Sequence, residues 1–346
     1  MVQNMANPFN DDAYFGMATL TDQLNRIPCT FGRLNNSGIF KFKGINTSIL
    51  IIEAKNNRIR IIPATARGGE FNHLKHGKRD LITLVVPHIN VEDNILPEEY
   101  MNKRKFGTTN AVMSAADVMA DFMFENLLSF EVTKEYMKWG ALQGIIYGSD
   151  GSTVICNFFE EFNVEKRVMY FDLDNDDADI PEKCRELTRV TKKSMQGDVM
   201  DYVHVFIHPT FYDKLAKHRS VVEYWKNHEK SVEHLEVDSS QCCRIQGVIF
   251  EEFEGEAPGD DEEVISFIKE KKGHAIPMGT NRTFRGVWAP AGFNETVGTE
   301  GIEYYMKQEP RKYDMGVDAY MESNELVYCT NPLVLTELDA GAPPAE

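Results

Sequence analysis

Apolar residues recurring at three- and four-residue steps constrain this chain more than any other feature: Val112, Ala115, Met119, Phe122, Met123, Leu127 and Phe130. Side chains at that spacing share one face of an α-helix. Asn110 offers a side-chain oxygen that can cap its start, and Gly140 and Gly144 loosen the chain beyond its end. A helix from Ala111 to Trp139 is roughly 43 Å long at about 1.5 Å per residue, a strut as long as a small domain is wide. Asp117, Asp121 and Glu125 sit four apart on another face of it, with no cation at four-residue spacing to neutralise them.

A chain of 346 residues exceeds what one hydrophobic core comfortably holds, so two or more folding units are expected, and 42% apolar and 11% aromatic residues suffice to build them. The formal charge of −17 argues against a protein that wraps nucleic acid, because such binding is dominated by Lys and Arg contacts to phosphate. Cys29, Cys156, Cys184, Cys242, Cys243 and Cys329 are scattered without a C-x-x-C pair and read as reduced thiols. The start of the chain lacks a basic patch followed by an apolar core, and there is no apolar run of membrane-spanning length. A soluble protein made in a cytoplasm, with no membrane partner, is expected.

The order of elements is α+β. Residues 1–35 read as an extended arm with a short helical pattern around Met17 to Leu24. Strand patterns follow at Ile39 to Phe42, Ser48 to Ala54, Arg58 to Ile62 and Leu81 to Val86. Residues 36–88 thus form strands and an extended loop, about 55–80, which carries Arg67-Gly68-Gly69 and much positive charge. Such a hairpin cannot bury two faces by itself and is expected to reach a neighbour. After the long helix come a turn at Gly148 to Gly151 and strands at Val154 to Phe159 and Val168 to Phe171. A helix then starts after Pro181, with Glu182 and Lys192-Lys193 placed as the helix dipole favours. A buried strand at Tyr202 to Ile207, a helix from Phe211 to Asn227, and strands at Val248 to Phe253, Val264 to Ile268 and Phe284 to Trp288 imply a second, α/β-type unit ending near Pro310.

Constellations that resemble catalytic or metal sites fail on detail. Asp172-x-Asp174-x-Asp176 opens like a calcium loop, but Asp177 stands where the sharp turn needs Gly and Lys183 where a bidentate Glu is needed. His204 and His208 fall on a strand-to-proline stretch, and four residues along a strand separate side chains by about 13 Å. His228-Glu229 lacks the second His of a zinc protease pattern, and no nucleophile elbow, P-loop or dinucleotide fingerprint is present. The eight acidic residues between Glu251 and Glu263 read as a soluble loop. No enzyme, cofactor or metal is expected.

At the C-terminus, Leu326 to Asp339 reads as a strand, a Thr330-Asn331-Pro332 break that removes a backbone donor, and a second strand. This ending occurs together with Lys103-Arg104-Lys105 leading into the long helix and Arg67-Gly68-Gly69 upstream. In that order, from about Thr47 to Leu338, the chain resembles the lambda-like major capsid proteins of tailed bacteriophages (phage capsid E family). The resemblance implies the Hong Kong 97-type capsid fold. Its parts would be an arm (1–35), strands with the extended loop (36–88), a peripheral domain (89–181 and 311–346) on the spine helix 111–139, and an axial domain (182–310). It further implies a virion protein that self-assembles into hexamers and pentamers of an icosahedral shell enclosing double-stranded DNA, with scaffold and portal proteins as partners; some relatives also bind a decoration protein. The alternatives are an encapsulin-like nanocompartment of the same fold and a soluble metal-dependent hydrolase using the acidic clusters. The expected inter-subunit contact pairs Arg58, Arg60, Arg67, Lys75, Lys78 and Arg79 of the hairpin with Asp117, Asp121 and Glu125 of a neighbour's helix.

Overall fold

The structure, a computed structural model, describes residue 9 and residues 15–29, 31–55, 79–98, 114–228, 242–259 and 264–344. In chain order its strands are β1 (Lys41–Gly44), β2 (Ile49–Lys55), β3 (Arg79–Val85), β4 (Ile89–Ile95), β5 (Ile145–Tyr147), β6 (Val154–Asn157), β7 (Arg167–Tyr170), β8 (Tyr202–Ile207) and β9 (Cys242–Ile245). They continue with β10 (Val248–Glu252), β11 (Glu256–Pro258), β12 (Val264–Ser266), β13 (Lys272–Met278), β14 (Phe284–Trp288), β15 (Tyr305–Pro310), β16 (Val317–Ser323), β17 (Glu325–Cys329) and β18 (Thr336–Asp339). The helices are α1 (Met17–Leu24), α2 (Ala115–Gln143), α3 (Phe158–Glu161), α4 (Ile180–Ser194), α5 (Pro209–Lys217) and α6 (Arg219–His228). The chain divides into two compact units, Met1–Leu50 with Val85–Glu135 and Gly286–Val327, and Ile51–Leu84 with Tyr136–Arg285 and Tyr328–Glu346.

In the first unit, β15, β16 and β4 form an antiparallel sheet in that order. One core joins Leu20 and Leu24 of α1, Met119, Phe122, Met123, Leu127 and Phe130 of α2, and Met306, Val317, Ala319 and Met321 of the sheet. The expected apolar stripe of the long helix is thus buried, apart from Val112, which lies outside the described residues. α2 spans 29 residues but begins at Ala115. Its start is capped reciprocally: Ser114 Oγ accepts from the Asp117 amide at 3.2 Å, and Asp117 Oδ2 accepts from the Ser114 amide at 3.1 Å. Asn110, the expected cap, lies outside the described residues. Gly140 does not loosen the chain: it stays helical, and a Cβ there would lie 2.8 Å from the Ile145 carbonyl oxygen. Gly144, at φ +88°, makes the turn that ends the helix.

The second unit is built on a six-stranded sheet ordered β7-β18-β13-β8-β10-β9. β8 and β10 run parallel, as do β7 and β18, while β13 runs antiparallel to both its neighbours. β9 and β10 are joined by Gln246 and Gly247, both at positive φ (51° and 83°), the backbone a two-residue hairpin needs to match strand twist. One face of this sheet carries Val203, Val205, Ile207, Phe250, Ala275 and Leu338. It packs on Cys184 and Leu187 of α4, Phe211 and Leu215 of α5 and Val221 of α6. On the other face Trp139, from the last turns of α2, meets Phe206 edge-on at 4.9 Å and stacks on Phe253 at 4.2 Å.

Two readings of this region are corrected. The single helix expected from Phe211 to Asn227 is broken at His218, whose backbone is extended (ψ 134°). Its Nδ1 accepts from the Ser220 amide at 3.3 Å and so starts α6, while its Nε2 donates to the Asn175 carbonyl at 3.0 Å. The central strand β13 had no expected counterpart, because Gly273, His274 and Pro277 interrupt its apolar pattern. Pro277 is tolerated because β18 pairs only as far as Ala275, leaving that side of the strand without a ladder to serve.

Candidate functional site

β2 and β3 pair as a two-stranded ribbon that leads to and from residues 56–78. On β3, Ile82 and Leu84 are buried while Leu81 and Val85, on the alternate face, are 67% and 68% exposed. Ile49 and Ile51 of β2 are also exposed. The ribbon therefore offers solvent a band of branched hydrocarbon where an isolated hairpin normally offers polar side chains. Of the cations expected on it, Arg58, Arg60, Arg67, Lys75 and Lys78 lie outside the described residues, and Arg79 is the first residue of β3.

The carboxylates expected to answer those cations divide into two sets. Asp117 is engaged in the cap of α2, where its Oδ2 also accepts from Ser114 Oγ at 2.8 Å. Asp121 and Glu125 are exposed one and two turns further on. Between them and beyond lie Phe124 and Leu128, 54% and 43% exposed. Positions 121, 124, 125 and 128 follow the three-and-four spacing of one helix face. That face is a mixed acidic and apolar stripe, pointing away from the buried one. Sequence reasoning found its charges and missed its hydrocarbon; the signal was that Phe124 and Leu128 fall outside the spacing of the buried stripe.

Below that stripe, further along α2, the first unit is held by a buried polar network. Lys134 Nζ lies 2.7 Å from Glu303 Oε1, 3.6 Å from Glu325 Oε2 and 3.6 Å above the Tyr304 ring centroid. Trp288 Nε1 donates to Glu325 Oε2 at 3.0 Å. Tyr304 donates its hydroxyl to Glu131; burial, and then that carboxylate, push the phenol far above its ordinary pKa and keep it a donor. Glu135 accepts from the amides of Leu34 and Asn35 at 2.8 Å each, and Asn35 Nδ2 donates to Glu131 Oε2 at 2.9 Å. The chain at residues 32–35 approaches so closely that a Cβ on Gly32, at φ +88°, would lie 2.3 Å from Glu135 Cδ.

The tip of the β15–β16 hairpin is a third exposed feature. Tyr313 and Asp314 adopt left-handed backbone (φ 66° and 54°), and Tyr313 and Met315 are 81% and 65% exposed. In the second unit, burial lowers the pKa of His274 to about 4 against the opposing pull of Glu337, its partner across β13 and β18. Burial alone would raise the pKa of Glu337; hydrogen bonds from Lys166 and Lys272 hold it at about 2. Burial raises the thiols of Cys156, Cys243 and Cys329 to about 12, so they are unreactive as nucleophiles. Among the described residues no three His, Cys, Asp or Glu are grouped to hold a metal, and no helix is long and apolar enough to cross a membrane.

These features are surfaces and struts. Comparison with known proteins gives them a context. The chain is 25% identical over 362 residues to the major capsid protein of Salmonella phage Felix O1, covering 96% of this chain and 98% of that one. It is 22% identical over 315 residues to the major capsid protein of Pseudomonas phage KPP10, covering 84% and 87%. A solved prophage protein of Escherichia coli CFT073, described as a capsid protein, superposes with a TM-score of 0.56 at 12% identity over 92% of this chain and 98% of that one. That superposition supports a mixed α and β fold of the phage capsid, Hong Kong 97-like kind. Nanocompartment and hydrolase roles yield to that of a capsid shell subunit. With residues 16–340 matching the family described as phage major capsid protein E, the chain belongs to that family of bacteriophage shell proteins.

Proposed function

We propose that copies of this chain join as hexamers and pentamers into an icosahedral head that encloses double-stranded DNA, assembled in the host cytoplasm with scaffold and portal proteins, and that the chain has no catalytic role. In this reading the six-stranded sheet and its helices form the axial domain, α2 with β4, β15 and β16 the peripheral domain, and the β2–β3 ribbon the base of an extended loop. The net charge of −17 suits a container that must hold and release DNA without binding it tightly.

The observation that carries the reading, within this family, is the pair of exposed bands: Ile49, Ile51, Leu81 and Val85 on the ribbon, and Phe124 and Leu128 beside Asp121 and Glu125 on α2. The ribbon of one subunit lies on the helix stripe of the next, hydrocarbon on hydrocarbon, with Arg58, Arg60, Arg67, Lys75, Lys78 and Arg79 facing Asp121 and Glu125. Each exposed ion pair contributes only about 1 kcal/mol or less, so apolar burial and the number of symmetric copies supply the strength. The test is assembly of purified protein with scaffold, followed by light scattering and negative-stain microscopy. Particles are expected from the wild type. Arg67→Glu with Arg79→Glu should stay folded by circular dichroism and fail to assemble, with partial rescue by Asp121→Lys and Glu125→Lys. Normal shells from the first double variant would show that the hairpin charge is only solubilising.

A further inference from the structure

α4 is a charged rod. Residues 172–179, which lead into it, contain Asp172, Asp174, Asp176, Asp177 and Asp179, whereas its last turns expose Arg189, Lys192 and Lys193. At the acidic end, Asp172 accepts from Asn175, Asp174 is paired with Lys214 at 2.5 Å, and Asp179 caps the helix through the Glu182 amide at 3.0 Å. Asp176 and Asp177 remain, exposed, with no side-chain hydrogen bond or ion pair among the described residues, and their charges act on Arg219 only through space. At the basic end, Arg189, Lys192 and Lys193 likewise make no ion pair with a described residue. An unpaired basic ridge is unexpected in a chain of charge −17, where carboxylates to neutralise it are abundant.

The two ends cannot satisfy each other within one subunit. The helix rises roughly 18 Å between Ile180 and Lys192 at about 1.5 Å per residue, which keeps them apart. We propose that the basic end of α4 is a docking face for a second copy of this chain, which seats its Asp176 and Asp177 against Arg189, Lys192 and Lys193. Asp176 and Asp177 line an open cleft of about 450 Å³ with Asp179, Arg185, Glu223 and Tyr224, where the carboxylates outnumber the arginines. Arg219, on the same cleft, is occupied by Glu223 at 3.1 Å. A contact between unlike patches on each copy is head-to-tail, and such contacts generate rings when the rotation closes. Every subunit then gives one acidic and one basic surface, as a hexamer or pentamer requires. This rests on the shell reading above and names the contact that would close its rings.

The experiment compares four full-length proteins for particle yield and for the concentration at which assembly begins: wild type, Lys192→Glu with Lys193→Glu, Asp176→Lys with Asp177→Lys, and the protein carrying all four changes. All four positions are exposed, so circular dichroism should match the wild type, with melting lowered only modestly where Lys192 and Lys193 no longer complement the helix dipole. Like charges brought face to face oppose docking, and each double variant should need roughly tenfold more protein to assemble. The fourfold variant, with complementarity restored in reverse, should return towards the wild-type threshold. Wild-type assembly by either double variant, or a fourfold variant no better than the doubles, overturns this contact and leaves the shell reading standing. A wild type that stays monomeric with scaffold overturns both.

Discussion

Along α2 the interior of the first unit holds Glu131, Lys134 and Glu135, joined by Glu322 and Glu325, all buried. The helix-covered face of the second unit's sheet is built instead from Val203, Val205, Ile207, Phe211, Leu215 and Phe250, and the buried Lys138, His204 and His274 of that unit lie outside this cluster. The difference follows from how each unit is assembled. The second takes most of its residues from one stretch, 136–285, which 51–84 and 328–346 join. The first gathers residues 15–50, 85–135 and 286–327, which are far apart in sequence. Hydrophobic attraction is not directional and would let those strands of chain slide. Directional bonds from Lys134 and Glu135 fix which segment meets the helix and where, at the cost of desolvating the ions.

The largest effect is expected from Lys134→Ala. It leaves Glu303 and Glu325 without their cation and should cost about 4 kcal/mol. Hydrogen exchange should accelerate in α1, β15 and β16 before it does in β8 and β10. Equal loosening in both units would show that the network does not act locally. Leu215→Ala probes the apolar unit. Loss of a fully buried side chain should cost about 3 kcal/mol in urea unfolding, and first in the protection of β8 and β10.

Acid sharpens the contrast from another side. His274 has a folded pKa near 4, below its unfolded value of 6.5, so the unfolded chain takes up a proton that the fold refuses. Its contribution is complete above pH 6.5 and is lost as pH falls towards 4, amounting to about 2 kcal/mol between about pH 7.5 and pH 5. Glu337 does not enter that window, since its own contribution fades only below 4.5. His274→Leu should flatten the pH dependence of melting over this range; an unchanged slope would assign it to another group. The smallest effect is expected from Lys307→Ala, whose exposed partner Glu295 lies 2.8 Å away: less than about 1 kcal/mol, and less still in high salt.

Periodicity made the regular parts of both units legible. The buried stripe of α2, the short α1, the largely apolar strand β8, the dipole-ordered charges of α4 and the Asn331-Pro332 break between β17 and β18 all follow from local spacing. What stayed hidden depends on partners distant in sequence. Lys134 and Glu135 look like solvated helix charges until Glu303, Glu325 and residues 34–35 surround them. β13 leaves no strand pattern in the sequence because its Gly, His and Pro are acceptable only between β8 and β18. His218 carries no conventional breaking signal, yet its imidazole replaces the backbone bonds that the interrupted helix gives up. At the candidate interface, charge spacing exposed Asp121 and Glu125, but only the location of the core revealed that Phe124 and Leu128 share their face.

The shared helix also limits how the molecule can be divided. α2 gives residues 115–135 to one unit and 136–143 to the other. A helix of eight residues is too short to persist alone in water, where about 12–15 are needed even for favourable sequences. A cut at the boundary would therefore unwind the segment that carries Trp139, strip Phe206 and Phe253 of their partner, and leave the second unit with an open wound on one face of its sheet. The two units are separate in their cores yet not severable, and any transplant of one into another protein would have to take the whole helix with it.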